Sequence, residues 1–165
     1  MVMVKLETSL GAIVIELDEK ATPKTTENFL NYVNTGFYNG TVFHRVIAGF
    51  MIQGGGFEKD MQQKTSDNPI QNEAKTGLKN EIGTIAMART NDPHSASSQF
   101  FINVANNTFL DFKSENPNEF GYCAFGKVSE GMETVLAISK AQTTRRAGHA
   151  DVPTEDIVLI RAEQL

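Results

Sequence analysis

Apolar and polar positions alternate at the start of the chain. Val2, Val4 and Leu6 are interleaved with Met3, Lys5 and Glu7, and after Thr8-Ser9-Leu10-Gly11 the alternation resumes at Ile13, Ile15 and Leu17. A period of two on both sides of a glycine turn predicts a β-hairpin. The period then changes. Phe29, Leu30 and Val33 share one face of a 3.6-residue repeat, which predicts a helix. Thr22 offers it a capping side chain, Pro23 a first-turn proline and Gly36 a stop. A second helical stripe (Met132, Val135, Leu136 and Ala137 or Ile138) runs from Gly131 to Ser139. The remaining apolar runs are short and rich in β-formers: Gly83 to Ala88, Gln99 to Val104, Tyr122 to Val128 and Asp156 to Ala162.

Many short strands, two helices and no strand–helix–strand alternation predict a mainly β fold. Either a closed barrel or a sandwich, with helices packed outside, fits that pattern. Three segments have no clear period: Glu58 to Asn80, Thr90 to Ser98 and Asn106 to Gly121. Loops of that length in a compact domain tend to carry function. No proline- or serine-rich linker divides the 165 residues, so one domain over 1–165 is expected.

Composition narrows the functions. The net charge is −5, which argues against a broad nucleic-acid surface. Arg145-Arg146 is too small to reverse that and reads as a solvated loop. The single cysteine, Cys123, excludes an internal disulfide and reads as a packed side chain in GYCAFGKV. MVMVKLETSL lacks the basic and apolar regions of a signal peptide, and no apolar run approaches the roughly 20 residues of a membrane span. A cytoplasmic protein without a membrane partner is the expectation.

Several chemistries fail on residue type. Gly54-Gly55-Gly56 is followed by Phe57-Glu58-Lys59-Asp60, with acids where a phosphate would sit, so the glycines read as a bulge or close backbone approach. His44, His94 and His149 are too scattered for a metal site, and no metal or other cofactor is expected. Ser95, Ser97 and Ser98 adjoin His94 without the spacing of a nucleophile elbow and read as a polar loop. What remains is FHRVIAGFMIQGGGF, Phe43 to Phe57, with one arginine in an apolar run. Its aromatics suit a core. The same alternation also lets Met51 and Gln53 face a groove, and the pattern alone does not choose.

FHRVIAGFMIQGGGF, GTIAMAR, SSQFFINV, FLDF and GYCAFGKV, in this order and spacing, resemble the cyclophilin family of peptidyl-prolyl cis-trans isomerases over essentially the whole chain. The variants MARTNDPHSASSQFF and FGYCAFG look like the short cytoplasmic members of bacteria. The resemblance implies a closed eight-stranded antiparallel β-barrel capped by two helices, with an active groove on its outside. It implies that Arg45 is catalytic and that Phe50, Met51, Phe101 and Leu110 form a proline pocket. Gln53 would orient the arginine, Gln99 would lie at the groove floor, and the backbone of Ala88 and Arg89 would pair with the peptide.

The chain departs from the better-known eukaryotic pattern in three of these positions. Phe109 stands in place of tryptophan, Tyr122 in place of histidine and Arg89 in place of asparagine. Gly56 stands where many relatives carry an acid, which is expected to loosen the following loop. The segment Glu58 to Asn80 is expected to help shape a second, shallower pocket, with Met61 and Lys64 either contributing to it or lying on a surface loop. The partners implied are proline-containing peptides and unfolded proteins. Cyclosporin should bind only weakly, because Phe109 lacks the indole N–H. A monomer is expected. The alternative is a proline-binding chaperone or interaction module in which catalysis is incidental.

Overall fold

The structure is a computed structural model and describes residues 2–165. The first hairpin forms as its alternation requires. β1 (Val2–Thr8) and β2 (Gly11–Leu17) pair so that Leu6 faces Ile13 and Val4 faces Ile15, all four fully buried. α1 (Pro23–Asn34) follows, with proline in its first turn and Phe29, Tyr32 and Val33 on its buried face. Leu30 is only half-buried.

Thr22 does not cap α1 with its side chain; its hydroxyl donates to the Asp18 carbonyl at 2.7 Å. The cap comes from Glu73, whose carboxylate accepts from the Thr25 N–H and hydroxyl, both at 2.7 Å, and from the Lys24 N–H at 3.3 Å. A carboxylate suits the positive end of a helix dipole. The contact also ties the long Glu58 to Asn80 segment back onto the helix.

β3 (Thr41–Val42), β4 (Arg45–Ile47) and β5 (Met51–Gly54) come next, then β6 (Thr84–Met87), β7 (Phe100–Asn103) and β8 (Ala124–Glu130). α2 (Met132–Ser139) buries Val135 and Ile138, while Leu136 turns outward. The chain ends with β9 (Thr143–Arg146), β10 (His149–Pro153) and β11 (Val158–Gln164). Arg145-Arg146 therefore lies on strand β9 of a separate two-stranded hairpin, not in a solvated loop. Arg146 pairs with Asp156 at 2.9 Å and donates to the Lys59 carbonyl.

The other nine strands form one antiparallel sheet in the order β3-β11-β1-β2-β8-β6-β7-β5-β4. Its two edge strands, β3 and β4, are consecutive in the chain and separated only by Phe43-His44. The sheet thus curls until its edges meet at a bend in the backbone. Counting β3 and β4 as one bent strand recovers eight, but closure runs through the chain and not through a β3–β4 ladder.

The interior is an aromatic cluster. The Phe29 ring lies 5.2 to 5.6 Å from those of Tyr38, Phe100 and Phe125. Burying each such side chain is worth about 1.5–3 kcal/mol. Cys123 packs against the same core, and burial pushes its thiol up to about 12. Buried and held as the neutral thiol, it is a packing residue and a poor nucleophile.

Candidate active site

The barrel strands have two occupied faces. On β7, Phe100 and Ile102 point into the core, and the alternation sends Phe101 and Asn103 to the outside. The registers then align one outer row across five strands. Arg45 lies opposite Gln53, Gln53 opposite Phe101, Phe101 opposite Ala86 and Ala86 opposite Ala124. Met51 sits beside that row, opposite Ile47 and Asn103.

A roof covers the alanine end. A short 3-10 turn, Thr108–Leu110, brings Leu110 over the sheet, and the Tyr122 N–H donates to the Leu110 carbonyl at 2.8 Å. Buried asparagines hold this roof down. Asn103 donates to Asn80 and Thr84, and Asn107 donates to Asn103 and to the Phe50 carbonyl. Asn80 donates in turn to the carbonyls of Leu110 and Tyr122. Buried amides need such partners. This scaffold was missing from the sequence reading. Its one trace there was a polar residue, Asn103, in the otherwise apolar FFINV.

Row and roof enclose a cavity of about 160 Å³. An apolar cavity of about 150 Å³ holds a molecule the size of benzene, so one small ring fits. Phe50, Met51, Phe101, Leu110 and Tyr122 supply its apolar wall, with the Phe101 and Tyr122 rings edge to face at 5.7 Å. Arg45, Gln53, Ala88 and Arg89 complete the lining. The Arg45 guanidinium is exposed and its Nη1 reaches the Gln53 side-chain oxygen Oε1 over a long 3.5 Å contact. Gln53 donates its amide to Gln99 at 3.1 Å. Among the described residues neither Arg45 nor Arg89 forms an ion pair. A larger hollow of about 900 Å³ along α1 is open, is lined mostly by polar side chains and shares no lining residue with this cavity.

The model of the cyclophilin type peptidyl-prolyl cis-trans isomerase family matches residues 3–164. The chain belongs to this family. It is 57% identical to a peptidyl-prolyl cis-trans isomerase of Streptomyces antibioticus, over 98% of both chains. It is 54% identical to peptidyl-prolyl cis-trans isomerase B of Escherichia coli K12, over 95% of this chain and 96% of that one. Among solved structures, a Cryptosporidium parvum cyclophilin crystallised in the presence of the dipeptide Ala-Pro superposes with a TM-score of 0.83 at 27% identity, over 98% of this chain and 97% of that one.

Against the cyclophilin pattern, nine of the eleven expected site residues line the one cavity. The two others stand apart from it. Gln99 lies behind Gln53 and touches the site through that residue. Phe109 is 62% exposed at the rim, stacked on Phe50 at 5.9 Å, and is not part of the pocket wall.

Met61 lines no second pocket, and Lys64 borders an open hollow with Asn39, Gly40, Glu58, Lys59 and Asp60 that shares no residue with the groove cavity. Met61 is buried with Val42, Phe57 and Val152, and the Lys64 ammonium donates to the Phe37 carbonyl above the Phe37 ring. Nor is the segment after Gly56 loose. The Gly56 carbonyl accepts from Lys64, Glu58 donates to Gln62 and Met61 donates to Glu58.

The glycine triplet is a close approach of backbone to side chains. A Cβ on Gly55, at φ +91°, would lie 2.9 Å from the Ser98 carbonyl, and one on Gly56 would lie 2.5 Å from Gln99 Cγ. His94 is not a base for the nearby serines, since its Nδ1 accepts from the Asn72 N–H. Among the described residues no helix is long and apolar enough to cross a membrane.

Proposed function

We propose that Arg45 accelerates rotation about Xaa-Pro bonds in peptides and folding proteins by donating a hydrogen bond to the prolyl nitrogen. The peptide bond before proline resists rotation because its C–N bond has partial double-bond character, with a barrier of about 18–20 kcal/mol. In the twisted transition state the nitrogen becomes pyramidal and gains a lone pair. A donor aimed there has little to bind in the planar ground state, so its effect is differential. A guanidinium is permanently charged and needs no titration to donate. No covalent bond is made or broken, and no nucleophile or cofactor is required.

The observation that carries this reading is the alignment of Arg45, Gln53 and Phe101 in one row above a ring-sized cavity. The prolyl ring fills the apolar wall while Arg45 addresses its nitrogen from the open end. Gln53, held by Gln99, limits where the guanidinium can point. The Ala-Pro dipeptide present with the Cryptosporidium parvum cyclophilin supports the same ligand class.

Cyclosporin binding stays weak in this reading, because Phe109 offers a rim ring without an N–H donor. The same reading sets the protein in the cytoplasm as a monomer, in keeping with its likeness to the short bacterial members. A proline-binding chaperone role would rest on the groove and not on Arg45.

Arg45→Ala tests the proposal. Turnover of an Ala-Pro peptide should fall roughly 10²–10³-fold, the cost of removing one preorganised donor, with an unchanged melting temperature. Retention of full activity would overturn the role of Arg45. A folding-assistance effect that survives in the same variant would separate chaperone action from catalysis.

A further inference from the structure

The family resemblance implies a main-chain role for Arg89, but its side chain is built into the site. Its Nε donates to the Gly121 carbonyl at 2.9 Å and its Nη1 to the Thr90 carbonyl at 2.8 Å. The guanidinium lies over the Tyr122 ring, 4.5 Å from the centroid. These contacts use two of its five N–H groups. Among the described residues Nη2 has no hydrogen-bond partner.

Arg89 and Arg45 thus border the same cavity, and no carboxylate lines it. Asp111, which follows the 3-10 turn of the roof, is engaged by the Asn80 N–H and side-chain amide. A chain of net charge −5 has concentrated two unneutralised cations at its binding site.

We propose that Arg89 is a specificity residue, selecting substrates with an acidic side chain immediately before the proline or one residue earlier. The inference rests on the reading that the cavity holds the prolyl ring. Arg89 immediately follows the Ala88 that ends the β6–β7 pairing, where Ala88 donates to Gln99 and the Arg89 N–H is given to none of the described backbone carbonyls. An extended peptide can pair with the backbone just beyond the end of β6. Its side chains on the N-terminal side of proline then pass the Arg89 guanidinium, whereas Arg45 addresses the ring. The guanidinium is preorganised by Tyr122 and Gly121, so little rotamer freedom is lost when a carboxylate binds.

The test is exchange spectroscopy on acetyl-capped peptides Ala-Glu-Pro-Phe, Ala-Lys-Pro-Phe and Ala-Ala-Pro-Phe, with Glu or Lys also placed one residue earlier. The acetyl cap removes the terminal ammonium and C-terminal amidation removes the terminal carboxylate, so only the Glu or Lys side chain carries charge, and the method needs no coupling protease. Wild type should favour Glu over Lys by roughly three- to tenfold in kcat/KM, mostly through KM. That ratio should shrink as ionic strength rises from about 0.01 M to about 1 M. Arg89→Gln should bring it near one, and Arg89→Lys should keep most of it. A wild-type ratio near one overturns the proposal, as does an unchanged ratio in Arg89→Gln. So does an equal loss on every peptide in both variants, which would make Arg89 only a prop for Tyr122. No turnover of any peptide by wild type would instead defeat the isomerase reading beneath it.

Discussion

Phe100 and Phe101 are adjacent in the chain, on the same strand, and both buried, yet they belong to different regions. Phe100 is fully enclosed among Phe29, Tyr38 and Phe43 inside the barrel. Phe101, 5% exposed, forms a wall of the outer cavity with Tyr122. Burial therefore does not distinguish core from site in this fold. The strand face does, because successive side chains point to opposite sides of the sheet. The inner face needs tight packing, and a missing ring there costs stability. The outer face leaves a ring-sized gap and sets two guanidinium groups beside it.

Replacing the two phenylalanines in turn should break the comparison most sharply. Phe100→Ala removes a core ring and should cost about 3–5 kcal/mol of stability, read by denaturant unfolding, with kcat/KM nearly intact while the protein stays folded. Phe101→Ala should cost less stability. It should lower kcat/KM roughly 10–100-fold, since the lost grip on the proline ring is worth about 1.5–3 kcal/mol. If Phe100→Ala proved the greater loss in activity of folded protein, the division into two faces would be wrong.

His44 marks the seam where the two edges of the sheet meet, between β3 and β4. It is 5% exposed, its ring lies 4.3 Å from that of Phe57, and Nδ1 has no partner among the described residues. Burial first, then the charges of His149 and Arg45, lower its pKa to about 4. A folded-state pKa below the unfolded value means that the unfolded chain binds the proton first. The stability is therefore complete above about pH 6.5 and is lost as pH falls toward 4, by about 3 kcal/mol in all. His44→Phe keeps the ring contact and removes the titration. Its unfolding free energy should vary less with pH over that window, and identical slopes in the two proteins would reject the assignment.

Much of this molecule is legible in its pattern. The first hairpin and both helices follow from periods of two and 3.6, because each presents one apolar face to the core, and four further strands follow from short runs of β-formers. The outer row is legible only with the family resemblance. Met51, Phe101 and Ala86 are apolar like their inward neighbours, so the alternation is masked on strands covered on both sides.

Long-range partners were not legible at all. Glu73 caps a helix 48 residues earlier in the chain, and Asn80, Asn103 and Asn107 find one another across three segments. No local rule encodes such meetings. The β9–β10 hairpin was hidden because its residues, Thr143 to Arg146, are polar and lie outside the main core. Arg89 shows a different limit. A match by position carried over the family's backbone contact and said nothing of a side chain that differs from the family's.

The smallest expected effect joins the two regions through the glycine triplet. Gly56 has no left-handed φ, so its backbone accepts alanine, and the obstacle is the Gln99 side chain, whose Cγ, Cδ and Nε2 lie 2.5 to 2.8 Å from an added Cβ. Gly56→Ala must therefore shift Gln99, which breaks its bond to Gln53 and loosens the Arg45 contact beyond it. Stability should change by only about 1 kcal/mol, while kcat should fall roughly three- to tenfold with KM little altered. Gln99→Ala should do the same by removing the other half of the contact. Because both act on one link, the double variant should be no slower than Gln99→Ala alone. Additive losses would show that Gly56 acts on the site by another route, and that the outer face does not depend on this bare α-carbon to aim its arginine.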